Sequence, residues 1–161
     1  MSGDSIQSMG TRIFIGDSAL CTTLAQYEAQ TWTELGEVID ISEFGETNDA
    51  QTYKTLRGLT RKRKGATNYG DPTISMKRVA GDEGQAKVKA ARRDNSRAYN
   101  FKILHDDAPA GGTGSGHYLR AFVMSYTTGI GSSDNPAVDA KAQLAIDAEP
   151  LEFEAEEAAG P

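Results

Sequence analysis

Val138-Asp139-Ala140-Lys141-Ala142-Gln143-Leu144-Ala145-Ile146-Asp147 alternates apolar and polar residues along its length, with the apolar set on even positions. A period of two puts alternate side chains on opposite faces of an extended chain, so the stretch reads as a half-buried antiparallel strand. The same period recurs in Thr73-Ile74-Ser75-Met76-Lys77 and in Tyr99-Asn100-Phe101-Lys102-Ile103, whose aromatic and β-branched face falls on odd positions. Arg12 to Ile15 is a short strand ended by Gly16-Asp17, and Leu35 to Phe44 is another, with Leu35, Ile39 and Ile41 on one side. Tyr118 to Thr127 carries Tyr118, Phe122, Met124 and Tyr126 on one face and Leu119, Ala121 and Val123 on the other. A strand apolar on both faces is covered on both, which places it at the centre of a sandwich or at a subunit contact.

One segment departs from this period. Asp82 to Arg93 has acids in its first turn and bases in its last, which suits the helix dipole, and Glu83 and Lys87 form an i, i+4 pair. Val88 and Ala91 make only a narrow apolar stripe, so this helix packs on a sheet rather than forming a core. Two long connections remain: residues 45–70, which hold Arg61-Lys62-Arg63-Lys64, and the Pro/Gly-rich loop 108–116. Connections near 25 residues are uncommon in compact domains and are usually functional or ordered only on binding. The fold class is therefore mainly β, a sandwich or barrel of antiparallel sheets with one flanking helix and a long inter-strand loop. The domain is expected over 12–153, between a loose N-terminal arm at 1–11 and a C-terminal tail at 154–161.

The chain has 161 residues, 38% hydrophobic and 25% charged, which suits one globular domain. Cys21 is the only cysteine, so no intramolecular disulfide is possible, and a buried apolar filler is its expected role. No secretory leader opens the chain and no apolar run approaches the ~20 residues that span a bilayer, so a soluble protein made in the cytosol is expected. The net charge of −6 is unevenly distributed. Residues 1–53 carry nine acids and one base, residues 54–102 fourteen bases and four acids, and residues 103–161 ten acids and two bases. Such blocks can neutralise each other within one chain or present complementary patches to other copies.

Tests for chemistry find nothing to support catalysis. Gly111-Gly112-Thr113-Gly114-Ser115-Gly116 lacks the Gly-Lys-Ser/Thr ending of a phosphate loop, and it lies between two strands. Gly114-Ser115-Gly116 lacks the strand-to-helix context of a nucleophile elbow. His105 and His117 have neither helical spacing nor a cysteine beside them, so no metal site is expected; strand pairing alone would bring them together. No enzymatic activity and no cofactor are expected.

The functional candidate is the basic cluster of Arg57, Arg61, Lys62, Arg63 and Lys64. It reads as a contact to acids on another copy, as a solvated basic face, or as a nucleic-acid patch flanked by only Tyr53 and Tyr69 for stacking. The candidate acidic partners are Glu43, Glu46, Glu152 and Glu154, within an acidic end that runs to Glu157.

The order of segments resembles the lambda-like tail tube (major tail) proteins of long-tailed phages. The likeness is carried by Trp32-Thr33-Glu34-Leu35-Gly36-Glu37-Val38-Ile39-Asp40-Ile41, by Phe44-Gly45-Glu46-Thr47 with Thr52-Tyr53, and by Leu56 to Gly65. It continues through Ile74-Ser75-Met76, Asp82-Glu83-Gly84-Gln85-Ala86, Tyr99 to Ile103, Phe122 to Tyr126 and Ala140 to Ile146. It covers roughly residues 32–153; the loop is more basic than the family's, and the Gly-rich insert at 109–116 is longer.

The resemblance implies a structural virion protein whose hexameric rings stack into a tail tube, the conduit for DNA ejection. It implies sheets that join around the ring, a long loop and terminal arms that order on polymerisation, and an acidic lumen. Implied partners are further copies of the chain, a tape-measure protein, DNA in the lumen, and tail terminator and distal tail proteins, with no membrane. The tube of a contractile tail or of a gene transfer particle, or a small β-barrel that binds nucleic acid through residues 54–102, are the alternatives.

Overall fold

The computed structural model describes residues 6, 8–134 and 137–157. Its elements, in chain order, are β1 (Arg12–Ile15), α1 (Leu24–Glu28), β2 (Thr33–Glu34), β3 (Val38–Ile41), β4 (Thr47–Lys54), β5 (Thr60–Asn68), β6 (Thr73–Lys77), α2 (Glu83–Arg93), β7 (Tyr99–Leu104), β8 (Gly116–Gly129), β9 (Asp139–Ile146) and β10 (Leu151–Phe153). Eight strands form one antiparallel sheet in the order β2-β1-β7-β8-β9-β6-β3, with β10 also paired to β8.

The two ends of that sheet belong to one short stretch of chain. Glu34 ends β2 on one rim and Val38 begins β3 on the other, so the rims lie within about 15 Å of each other. The sheet must therefore curl into a barrel. Leu35 N–H donates to the Ile13 carbonyl on one rim (2.8 Å), and Lys77 N–H donates to the Glu37 carbonyl on the other (2.9 Å). Between them Glu37 adopts φ 53°, a left-handed conformation that turns the chain from rim to rim.

Asp82-Glu83-Gly84-Gln85 locks this turn. The Asp82 carboxylate caps α2 by accepting from Gln85 N–H (2.9 Å), and it also accepts from Gly36 N–H (3.1 Å). The buried Gln85 amide donates to the carbonyls of Gly36 (3.0 Å) and Lys77 (2.8 Å) and accepts from Val79 N–H (3.0 Å). Gly84 lets the helix lie against the Glu34 carbonyl, where any Cβ would collide with backbone. So α2 joins the β2–β3 turn to the end of β6; it packs on the sheet, but against expectation its Val88 and Ala91 are part of the main core, because the curled sheet closes around them.

Inside the barrel, Val88 and Ala91 of α2 meet Ile15, Ile74, Phe101, Leu119 and Leu144, all fully buried. Burial of each large side chain contributes roughly 1.5–3 kcal/mol. The even positions of β9 and the odd positions of β7 face this core, as the alternation requires. The other face of β7 and β8 is covered as well. Residues 16–32 cross it, and α1 is fixed there by a capping box between Thr23 and Gln26. Tyr27 of α1 stacks on Tyr118 with ring centroids 4.8 Å apart, and Phe153 of β10 lies 4.7 Å from the same ring. Asn100, fully buried on this face, donates to the Ala19 carbonyl and Gln30 Oε1 and accepts from Arg120. Cys21 is buried beside it.

Several expectations need correction. Ile39 does not share a face with Leu35 and Ile41: the Glu37 turn and a register shift between Val38 and Asp40 reset the phase, and Ile39 is 55% exposed. On β8 a register shift between Val123 and Ser125 breaks the face proposed for Tyr118, Phe122, Met124 and Tyr126. Tyr118 is buried under α1, Met124 is exposed, and Tyr126 packs against the main core. Helix α1 and strand β10 were not expected; one is a single turn and the other three residues, too short for periodicity to register. Residues 45–70 do connect β3 to β6, but they form the hairpin β4–β5. Parts of the expected arms, residues 1–5, 7 and 158–161, lie outside the described residues. Glu156 pairs with Thr113 of the Gly-rich loop through two backbone hydrogen bonds.

Helix propensity alone makes Gly84→Ala stabilising by about 1 kcal/mol. The approach to Glu34 predicts the opposite sign, with destabilisation of roughly 1–3 kcal/mol in chemical denaturation. Gln85→Ala, which leaves three backbone groups unpaired, lowers stability by roughly 2–4 kcal/mol in the same measurement.

Candidate self-assembly surface

The hairpin is built without a core. The described residues of β4 and β5 are exposed, apart from partly covered Gly65. Its strands are joined by a ladder from Thr47↔Asn68 to Lys54↔Thr60, with a register shift between Asn48 and Ala50. The Asn48 side chain donates to the Gly65 carbonyl (3.2 Å) and Thr67 Oγ1 (2.8 Å). The turn closes where Thr55 N–H donates to the Leu59 carbonyl and Gly58 N–H to the Thr55 carbonyl (both 2.9 Å), with Gly58 at φ 82°. Two strands with no apolar face are marginal alone in water, and among the described residues no other element covers either face of this pair.

The register sorts the basic cluster onto two faces. Arg61 and Arg63 stand opposite Tyr53 and Gln51, while Lys62 and Lys64 stand opposite Thr52 and Ala50. Arg57 lies in the turn. None of the cross-strand partners is an acid, and among the described residues none of the five bases has an ion-pair partner within 4 Å. The tip adds apolar surface: Tyr53 is 52% exposed, Leu59 51% and Leu56 109%. The leucines were missed in the sequence, although Leu56-x-x-Leu59 is an apolar pair in an otherwise polar stretch.

Of the acids, Glu43 and Glu46 flank the root of the hairpin and bracket Phe44, whose ring meets His117 at 5.4 Å. His117 stands opposite Glu152 in the β8–β10 register. The fold thus brings Glu43, Glu46 and Glu152 to one region. Glu154 lines a different groove, with Glu28 and Asp106. Arg61 and Arg63 lie about 13–20 Å up the hairpin from its root, beyond the ~8–10 Å over which charges act in physiological salt. Among the described residues no ion pair joins the cluster to the acids at its root, while Asp49 on β4 adjoins Ala50, which stands opposite Lys64.

His105 and His117 do meet through β7–β8 pairing, with ring centroids 5.7 Å apart. Burial pushes the His117 imidazole below its ordinary pKa, and the Glu152 carboxylate opposes that shift. Among the described residues no three His, Cys, Asp or Glu side chains converge as a metal set, and no helix is long and apolar enough to cross a membrane.

Comparison with known protein families and with curated protein sequences gives no match. Solved structures do match. A chain in the tube-terminating cap of the anti-feeding prophage has TM-score 0.68 at 14% identity, covering 96% of this chain and 95% of that one. One in the sheath/tube terminator of an extracellular contractile injection system has TM-score 0.69 at 13% identity, covering 95% and 99%. The SPP1 tail tube has TM-score 0.63 at 12% identity, covering 95% and 81%. The chain has the tail-tube fold. At these identities the likeness concerns the fold; the hairpin's bases belong to this sequence.

In dilute solution, limited trypsin digestion is predicted to cut first between Lys54 and Lys64 and to leave the barrel whole, because no buried side chain anchors the hairpin. Mass spectrometry of the first fragments checks this.

Proposed function

We propose that the chain is a structural subunit that polymerises into the tube of a phage tail. Hexameric rings stack through their hairpins, and the protein has no catalytic role. The observation that carries this reading is the exposed, coreless hairpin with five unpaired bases in its 57–64 segment and an apolar tip. Such an element gains from contact with something else, and the tail-tube fold supports the reading that further copies supply it. A donor hairpin and an acceptor elsewhere on the molecule make a head-to-tail contact, which closes into rings or propagates as a filament. In the virion the tube would conduct DNA around a tape-measure protein and end on terminator and distal tail proteins, as the resemblance to lambda-like tube proteins suggests.

A second reading has a specific observation behind it. Two of the structures compared are described as a tube-terminating cap and a sheath/tube terminator. A subunit that ends a tube, or one belonging to a contractile injection machine, would use the same fold.

Negative-stain microscopy of the concentrated protein separates a tube subunit from a terminator: tubes support a tube-forming subunit, of a phage tail or of a contractile machine, and isolated rings that do not stack support a terminator. A monomer that stays dispersed at high concentration sinks both. The variant carrying Arg61→Glu, Lys62→Glu, Arg63→Glu and Lys64→Glu is predicted to lose tubes while its melting temperature stays within a few degrees, because all four side chains are exposed.

A further inference from the structure

We infer that the groove along the free edge of β3 receives the hairpin of a second copy. This deepens the self-assembly reading and rests on it. Strand β3 is the last of its sheet, and among the described residues it pairs with β6 alone, which leaves its other edge without a strand partner. Beside that edge runs a groove of about 640 Å³ whose lining includes Ile6, Met9, Ile13, Ile41, Phe44 and Ile103. Ile39, on the edge strand itself, also lines it.

The charge on this edge is of one sign. Glu37, Asp40, Glu43 and Glu46 are all exposed, and residues 37–46 contain no base. Among the described residues none of these acids has an ion-pair partner within 4 Å. The hairpin is the complement: residues 54–64 hold six bases and no acid, together with Leu56 and Leu59. Each side supplies what the other lacks. The β5 edge can add to β3 as an extra strand, its bases can meet the row of acids, and the apolar tip can enter the groove. The extended ladder carries the tip of the chain's own hairpin away from the root that adjoins this groove, so the copy that receives the tip is a second one. Donor and acceptor differ, which makes the contact polar and able to propagate.

The test is a charge exchange. Glu43→Arg with Glu46→Arg is predicted to raise the concentration needed for polymerisation by at least about tenfold, as like charges then oppose. Adding Arg61→Glu and Arg63→Glu to that variant is predicted to restore polymers, and Glu149→Arg alone, exposed and outside the groove, to leave assembly unchanged. Should Glu43→Arg with Glu46→Arg polymerise like the wild type, the assignment of the groove falls and the tube reading stands. If the wild type never polymerises, the tube reading falls, and the groove assignment with it. A second measurement is independent of charge. Ile39→Cys chains mixed with Leu56→Cys chains under a short bismaleimide are predicted to yield a mixed cross-linked dimer under polymerising conditions, and its absence overturns the groove.

Discussion

The fold turns on how a single sheet is made to close. Rims that lie far apart in the strand order are joined by the few residues between β2 and β3, and that junction is held by one carboxamide and one carboxylate. Gln85 is buried with its carbonyl and its amide group both bonded, so it adds directional bonds where apolar packing alone would leave the register free. Closure hides the apolar faces of β6, β7, β8 and β9 around Val88 and Ala91 of α2. It does not hide every edge. Strand β3, last in the strand order, keeps one side bare, and the residues that follow it leave the barrel as a hairpin.

Those two leftovers explain the charge pattern. Acidic and basic blocks in one chain could have neutralised each other, and among the described residues one ion pair does join them, Lys77 with Asp139 at 2.6 Å on the paired strands β6 and β9. The densest basic run does not, because a ladder with no acidic cross-strand partner carries it away from the body. In the assembly proposed above, contact between copies would give both runs partners.

Much of this architecture is legible in the residues. Period-two alternation marks β6, β7 and β9 within a residue of their observed bounds, and the dipole pattern marks α2. What stays hidden has a physical cause in each case. The hairpin is built from Thr, Asn, Gln, Lys and Arg, so its alternation carries no hydropathy contrast. The second layer over β7 depends on Asn100, a polar residue buried by long-range partners that no local pattern reveals. The lock at Asp82-Glu83-Gly84-Gln85 looks like an ordinary helix start, because its other half is the turn near Gly36. Of the candidate site, the bases were evident from composition, whereas the exposed leucines and the bare edge of β3 needed the topology.

The central claim is that the hairpin is completed by another copy. Hydrogen exchange of the residue 47–68 amides, measured in dilute and in concentrated protein, tests it most directly. Rapid exchange in the monomer followed by strong protection on polymerisation is the predicted result. Equal exchange at both concentrations, with polymers visibly present, would contradict it.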